Sequence, residues 1–347
     1  MSDMSDIPRR IDIHSHFFPP LTRRDAEMLE SADAPWLRDD GSGSGYIMSG
    51  PDEYRPVEAP LWDPAARLAE MDRSGTTIQV ISATPILFSY GRPAAIGERW
   101  AAKINDLANE MCEADPERLR PLSHVPLQDV DAACREASRA KTNGHVGVHI
   151  GNHVDGRNLD DPELVRFLHH CADHDIPVFV HPWNTMAADR MPKYMLAWLV
   201  GMPAETHLAV LSLILSGAFE RLPPNLKLCF AHGGGNFAAQ LARVDNAWSR
   251  RDIIRRDCPE PPSSYARRFH VDSAVFGEDA LALQVAVMGA DHIMMGSDYP
   301  FPLGEEEPGS VIDTAGFLDD DTRDALRFRN ADAFFSLDAR SPEVVRR

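Results

Sequence analysis

The sequence predicts an α/β fold, a (β/α)8 TIM barrel with a small insertion after its first strand. Three observations carry that expectation. Eight short apolar runs of β-type composition recur along the chain, and helical patterns separate them. The length, 347 residues, suits one such barrel or two ordinary domains. Histidines and an aspartate gather at the C-terminal ends of several runs, the edge where barrels of this kind carry their chemistry. The chain, 1–347, therefore reads as one domain with an inserted segment at 17–62.

The first run, Ile11–His16, lies in "RIDIHSHFFPP". Side chains alternate along a strand, so His14 and His16 project to the same face, as ligands of a divalent metal must. A bare His-x-His is common by chance, and its meaning depends on what the rest of the chain supplies. Residues 17–62 form a longer connection than a barrel needs, containing "DDGSGSGY", which reads as a flexible hairpin tip at 40–45, and then "EYRPVEAPLW". A helix follows in "DPAARLAEMDRSG", with Asp63 as N-cap, Pro64 in the first turn and Gly75 as the stop. The second, third and fourth runs are Thr77–Ala83, Pro121–Val125 and Val146–Gly151. Asp161 before Pro162 opens another helix, "DDPELVRFLHHCADHD". The fifth run, Pro177–His181, leads into a connection at 182–203 rich in Met and aromatic residues. Leu226–His232, Phe269–Ser273 and His292–Ser297 complete the eight.

Composition narrows the function. The hydrophobic fraction of 44% and charged fraction of 25% are those of a globular protein. A net charge of −18 argues against nucleic acid or an anionic membrane as partner. A small anionic substrate remains compatible, provided that local cations receive it. No apolar run approaches a membrane span, and "MSDMSDIPRR" lacks the apolar segment of a signal peptide. Cys112, Cys134, Cys171, Cys229 and Cys258 are scattered without C-x-x-C spacing, as reduced thiols of a cytoplasmic protein would be. Neither G-x-G-x-x-G nor a P-loop is found, and nothing points to pyridoxal phosphate, thiamine diphosphate or flavin.

The strand ends supply the missing donors. His181 closes "PVFVH", His232 closes "LKLCFAH", and Asp298 follows "HIMMGS". Each alone is ordinary. Together with His14 and His16 they place five metal-competent groups at one mouth, and chance agreement across four strands is remote. Spacing alone does not decide which of the five bind the ion.

The motifs "DIHSHFFP", "HPW", "AHGGGNF" and "GSDYPFPLG" resemble the amidohydrolase superfamily, in its decarboxylase branch. The resemblance continues through "APLWDP", "MDRSGTTIQVISATP", "VPLQDVDAACREASRA", "LSLILSGAFERLP", "RVDNAW" and "VDSAVF", from Arg10 to Phe335. It implies that His14, His16, His181 and Asp298 hold one metal, Zn2+ first, with Mn2+ and Fe2+ compatible with the same donors. The fourth run, "GHVGVHIGNH", has none of the bridging lysine that binuclear members use, so a single ion is expected, with His149 and His153 in structural or loop roles.

By the same resemblance His232 is the acid/base group acting on a metal-bound water, and metal ligation is its competing role. Arg55 in "EYRPVE" and Arg243 in "LARVDNAW" match substrate-binding arginines, Arg243 reaching in from the second subunit of a homodimer. Trp198 and Phe301 resemble pocket aromatics, suited to the flat face of a small, conjugated, anionic substrate. The activity implied is non-oxidative, metal-dependent decarboxylation by a carboxy-lyase. The rival readings are decarboxylation of an aromatic acid of the hydroxybenzoate type, metal-dependent hydrolysis of an amide or lactone on the same barrel, and a non-catalytic binding protein.

Overall fold

The computed structural model describes residues 9–337. Its strands, in chain order, are β1 (Ile11–Phe17), β2 (Pro35–Asp39), β3 (Ser44–Ser49), β4 (Asp52–Glu58), β5 (Ile78–Ala83), β6 (Leu119–His124), β7 (Gly147–Gly151), β8 (His153–Val154), β9 (Arg157–Asn158), β10 (Val178–His181), β11 (Leu228–Phe230), β12 (His270–Asp272) and β13 (Ile293–Met294). Eight form one sheet in the order β1-β5-β6-β7-β10-β11-β12-β13, with every pairing parallel. The ring closes by hydrogen bonds from Ile13 N to Met295 O, 2.9 Å, and from His16 N to Tyr299 O, 2.7 Å. The expected barrel is thus present, with each of the eight runs contributing one strand.

The sixth and eighth strands end before the sequence pattern does. Beyond those ends, at Phe230 and Met294, the chain adopts a left-handed φ at His232, +53°, and at Asp298, +63°. Helices flank the strands because their starts are capped as the sequence implies. Asp63 accepts from Ala65 N at 2.8 Å and Asp161 from Glu163 N at 3.0 Å. Strand interiors such as Ile11, Ile13, Val80, Val148 and Val180 are fully buried, filling the barrel and its contact with the helices.

The insertion is more ordered than a hairpin on a loop. β2, β3 and β4 make a three-stranded antiparallel sheet, whose β2–β3 tip contains the Gly/Ser run. Ile47 and Val57 of this sheet share a hydrophobic cluster with Phe17, Ile81 and Trp100 of the barrel. The 182–203 connection also carries structure: a 3-10 turn at Ala188–Arg190 and a π-helical turn at Ala197–Gly201 that runs into helix Met202–Leu215.

The expectation that no segment approaches a membrane span needs correction. The continuous helical stretch Ala197–Leu215 is long and apolar enough by length and composition. It lies against the barrel, with Val210, Leu213 and Ile214 buried and Glu205 hydrogen-bonded to Asn152 at 2.8 Å.

Candidate metal centre

β1 presents His14 and His16 on its inner face, β10 ends with His181, and Asp298 turns in just beyond β13. One donor atom from each of these four residues lies within 4.8 Å of every other. The Nε2 atoms of His14 and His16 are 3.2 Å apart, and Asp298 Oδ1 lies 3.3 Å from the first and 3.0 Å from the second.

The imidazoles are held by their other nitrogens. His14 Nδ1 pairs with Asp272 at 2.6 Å, His16 Nδ1 with Ser82 Oγ at 3.2 Å, and His181 Nδ1 with Pro182 O at 2.7 Å. A carbonyl only accepts, so His181 carries its proton on Nδ1 and keeps a lone pair on Nε2. That Nε2 is buried and has no protein partner. An orphaned buried lone pair, facing a set of imidazole and carboxylate donors, fits a divalent transition metal.

Electrostatics describe a site that wants a cation. Burial works against charge on His14, but the hydrogen bonds it donates to Asp272 and Asp298 outweigh that and push its pKa up to about 10. Burial brings His16 down to about 4, and burial with the neighbouring histidines lowers His181 well below the ordinary value. Burial alone would raise Asp298, yet its contacts with His14 and His16 hold it well below the usual carboxylate range.

His232 stands beside this group and outside it. Its ring centroid is 5.0 Å from those of His14 and His181, and its Nε2 is 3.6 Å from Asp298 Oδ2. Its side chain is 16% exposed, against 0% and 1% for His14 and His16, so it is the imidazole most open to the mouth. The "AHGGGNF" turn makes this possible. Gly235 has φ +62°, and a Cβ there would lie 2.3 Å from Pro203 O.

The remaining expected site residues fall in two places. The Arg55 guanidinium, carried by β4, sits 4.7 Å from the Phe301 ring centroid and 5.4 Å from that of Trp198. Phe301 in turn lies 5.4 Å from the His16 ring. These three therefore join the metal-competent group at one mouth. Arg243 is exposed on helix Phe237–Arg250.

His149 is fully buried between Phe179 and Phe88, close to His16 and His181 but outside the four-donor set. His153 bonds Asn184 O at 3.0 Å. Sequence reasoning missed Asp272, which binds His14, and Arg67, whose buried guanidinium donates to His16 O and, at 2.9 Å, to Gln79. Asp272 ends the seventh barrel strand, the same position that marked His181 and His232, and that signal was available.

Comparison with known proteins places this geometry in context. A family model described as Amidohydrolase matches residues 11–337. A relative from Dictyostelium discoideum, 2-amino-3-carboxymuconate-6-semialdehyde decarboxylase, is 37% identical over 331 residues, covering 95% of this chain and 92% of its own. A Caenorhabditis elegans protein of the same name is 30% identical, with 95% of each chain covered. Among solved structures, the IDCase of Metarhizium anisopliae superposes with a TM-score of 0.83 at 22% identity, covering 97% of this chain and 99% of its own. A dihydroxybenzoic acid decarboxylase from Polaromonas sp. JS666, solved with manganese and the inhibitor 2-nitroresorcinol, gives 0.75 at 22%, covering 95% and 97%. At these identities the structural likeness establishes the barrel fold alone.

Proposed function

The chain belongs to the amidohydrolase family, and from that footing we propose that it is a metal-dependent carboxy-lyase acting on 2-amino-3-carboxymuconate 6-semialdehyde to give 2-aminomuconate 6-semialdehyde. The observation that carries this reading is the placement of Arg55 against Phe301, whose ring lies 5.4 Å from His16. A carboxylate-binding cation and a flat apolar wall thereby adjoin a four-donor centre. The relative at 37% identity supplies the substrate.

His14, His16, His181 and Asp298 hold the ion in this account. A divalent ion there supplies Lewis acidity and a water acidic enough to lose its proton near neutral pH. Zinc is the first candidate for three imidazoles and a carboxylate, and the manganese in the Polaromonas structure makes Mn2+ the second.

Arg55 takes a substrate carboxylate with its planar fork, while Phe301 and Trp198 receive the conjugated face. His232 serves as acid and base. It takes a proton from a water whose hydroxide adds to the enamine carbon of the substrate, and delivers that proton to the neighbouring carbon that bears the carboxylate. The electron pair of the broken C–C bond then re-forms the double bond as CO2 and hydroxide leave. The insertion at 17–62 acts as a lid that brings Arg55 over the mouth, within one barrel unit. Arg243 completes the carboxylate site from the partner subunit of a homodimer. The exposed Tyr194, Leu199 and Val200, flanking Trp198, offer apolar surface for that contact. Free thiols at all five cysteines suit a reducing cytoplasm.

The test is to generate the semialdehyde enzymatically from 3-hydroxyanthranilate and follow its absorbance with metal-free and metal-restored protein. Decay with CO2 release only after metal is restored is the expected result. The second reading, decarboxylation of a hydroxybenzoate, draws on the aromatic wall at Phe301 and Trp198. It prevails if 2,6-dihydroxybenzoate is consumed and the semialdehyde is not.

A further inference from the structure

Asp272 is a fully buried carboxylate that neither belongs to the four-donor group nor faces the mouth. Each of its oxygens is engaged twice. Oδ2 pairs with His14 Nδ1 at 2.6 Å and accepts from His232 N at 2.9 Å. Oδ1 accepts from Gly233 N at 2.8 Å and from Ala274 N at 3.2 Å. One side chain on β12 thus touches residues of β1 and of the turn after β11.

The two contacts on Oδ2 have different consequences. An ionised carboxylate only accepts, so the His14 nitrogen facing it carries a proton, and Nε2 is the nitrogen left to face His16 and Asp298. His232 holds φ +53° and Gly233 +62°, and backbone of that kind persists only where the surroundings hold it. Both of these N–H groups end on Asp272. The geometry points to Asp272 as a positioning residue with two outputs: it fixes which nitrogen His14 offers to the metal, and it clamps the left-handed turn that presents His232 to the substrate. This deepens the metal-centre reading above and rests on it.

Asp272→Asn tests the proposal because its amide has one accepting end and one donating end. Four N–H groups surround the two oxygens, so in either orientation two donors meet an NH2. Full-length wild-type and D272N proteins are stripped of metal and titrated with zinc against a chromophoric chelator. Zinc affinity is expected to fall about 10- to 100-fold in the variant. At saturating zinc, kcat stays at least about tenfold low while KM changes little, because the displaced His232 acts on the transition state and not on binding.

A purely structural Asp272 would lower the melting temperature yet leave zinc affinity and kcat per bound zinc at wild-type values, and that outcome overturns the proposal. Should D272N fail to fold, 15N-histidine NMR of zinc-loaded wild type decides. A proton on His14 Nδ1, assigned by its loss in His14→Gln, supports the proposal, and ligation through Nδ1 refutes it. Wild-type protein that takes up no zinc or manganese overturns the metal reading, and this inference with it. Wild type that binds tightly while D272N equals it overturns only the role of Asp272.

Discussion

At His181 a single hydrogen bond decides what the residue can do. Its Nδ1 is spent on Pro182 O, and the lone pair on Nε2 has no protein partner. The same division of labour runs through His14 and His16, and Asp298 supplies the negative charge that a dication needs. Asp298→Ala is expected to lower bound metal per chain by at least about tenfold with the fold retained, measured by elemental analysis after dialysis. Away from the centre, burial pushes Glu305 up to about 7 from 4.5, although it accepts from Gly309 N and Val311 N. A carboxyl with a raised folded-state pKa costs stability once ionised. Its penalty is absent below about pH 4.5, grows as pH rises toward 7, and is constant above. Thermal melts of Glu305→Gln and wild type should therefore shift relative to each other in the variant's favour between pH 5 and pH 7. A pH-independent difference would contradict this.

Elements place these side chains, and the sequence disclosed them unevenly. The barrel strands were legible because each is a short apolar run, and five metal-competent residues stood at the ends of four of them. Position at a strand end is not sufficient, however. His124 ends β6 just as His181 ends β10, yet it stacks on Phe88 at 5.3 Å and stays outside the donor group. Arg67 was illegible for a related reason: a buried charge looks like any surface charge until its partners are brought to it through space. Asp272 did stand at a strand end, but position alone does not tell its role from that of His124. The insertion showed its length and its Gly/Ser tip, whereas its three-stranded pairing depends on contacts with the barrel that no local pattern encodes. Arg55 rides on that sheet, stacked against Phe301 and Trp198. Arg55→Lys keeps the charge but loses the fork and the stacking, so steady-state kinetics should show KM for the semialdehyde raised by about tenfold, with a smaller change in kcat. At the other side of the mouth, Gly235→Ala forces a Cβ against Pro203 O at a left-handed φ. Denaturant melts are expected to show a loss of about 1–3 kcal/mol.

At the scale of the whole molecule, a chain of net charge −18 is proposed to attract an anionic substrate through a few placed arginines. Arg55 meets that need within one chain, while Arg243 stands exposed on helix Phe237–Arg250. If a partner supplies it, the catalytic unit is the dimer. Subunit exchange between His232→Ala and Arg243→Ala proteins, each inactive alone, should then restore roughly a quarter of wild-type activity, since half the dimers are hybrids with one intact site. No recovery despite exchange verified by mass would assign Arg243 to the surface. The outcomes for metal binding and catalysis presuppose one ion at the barrel mouth, and anomalous diffraction from crystals of the zinc-loaded protein tests that directly. The account predicts a single peak about 2.0–2.2 Å from Nε2 of His14, His16 and His181 and from an Asp298 oxygen, with His232 unligated. Two adjacent peaks, a peak elsewhere, or His232 bound to the ion would contradict it.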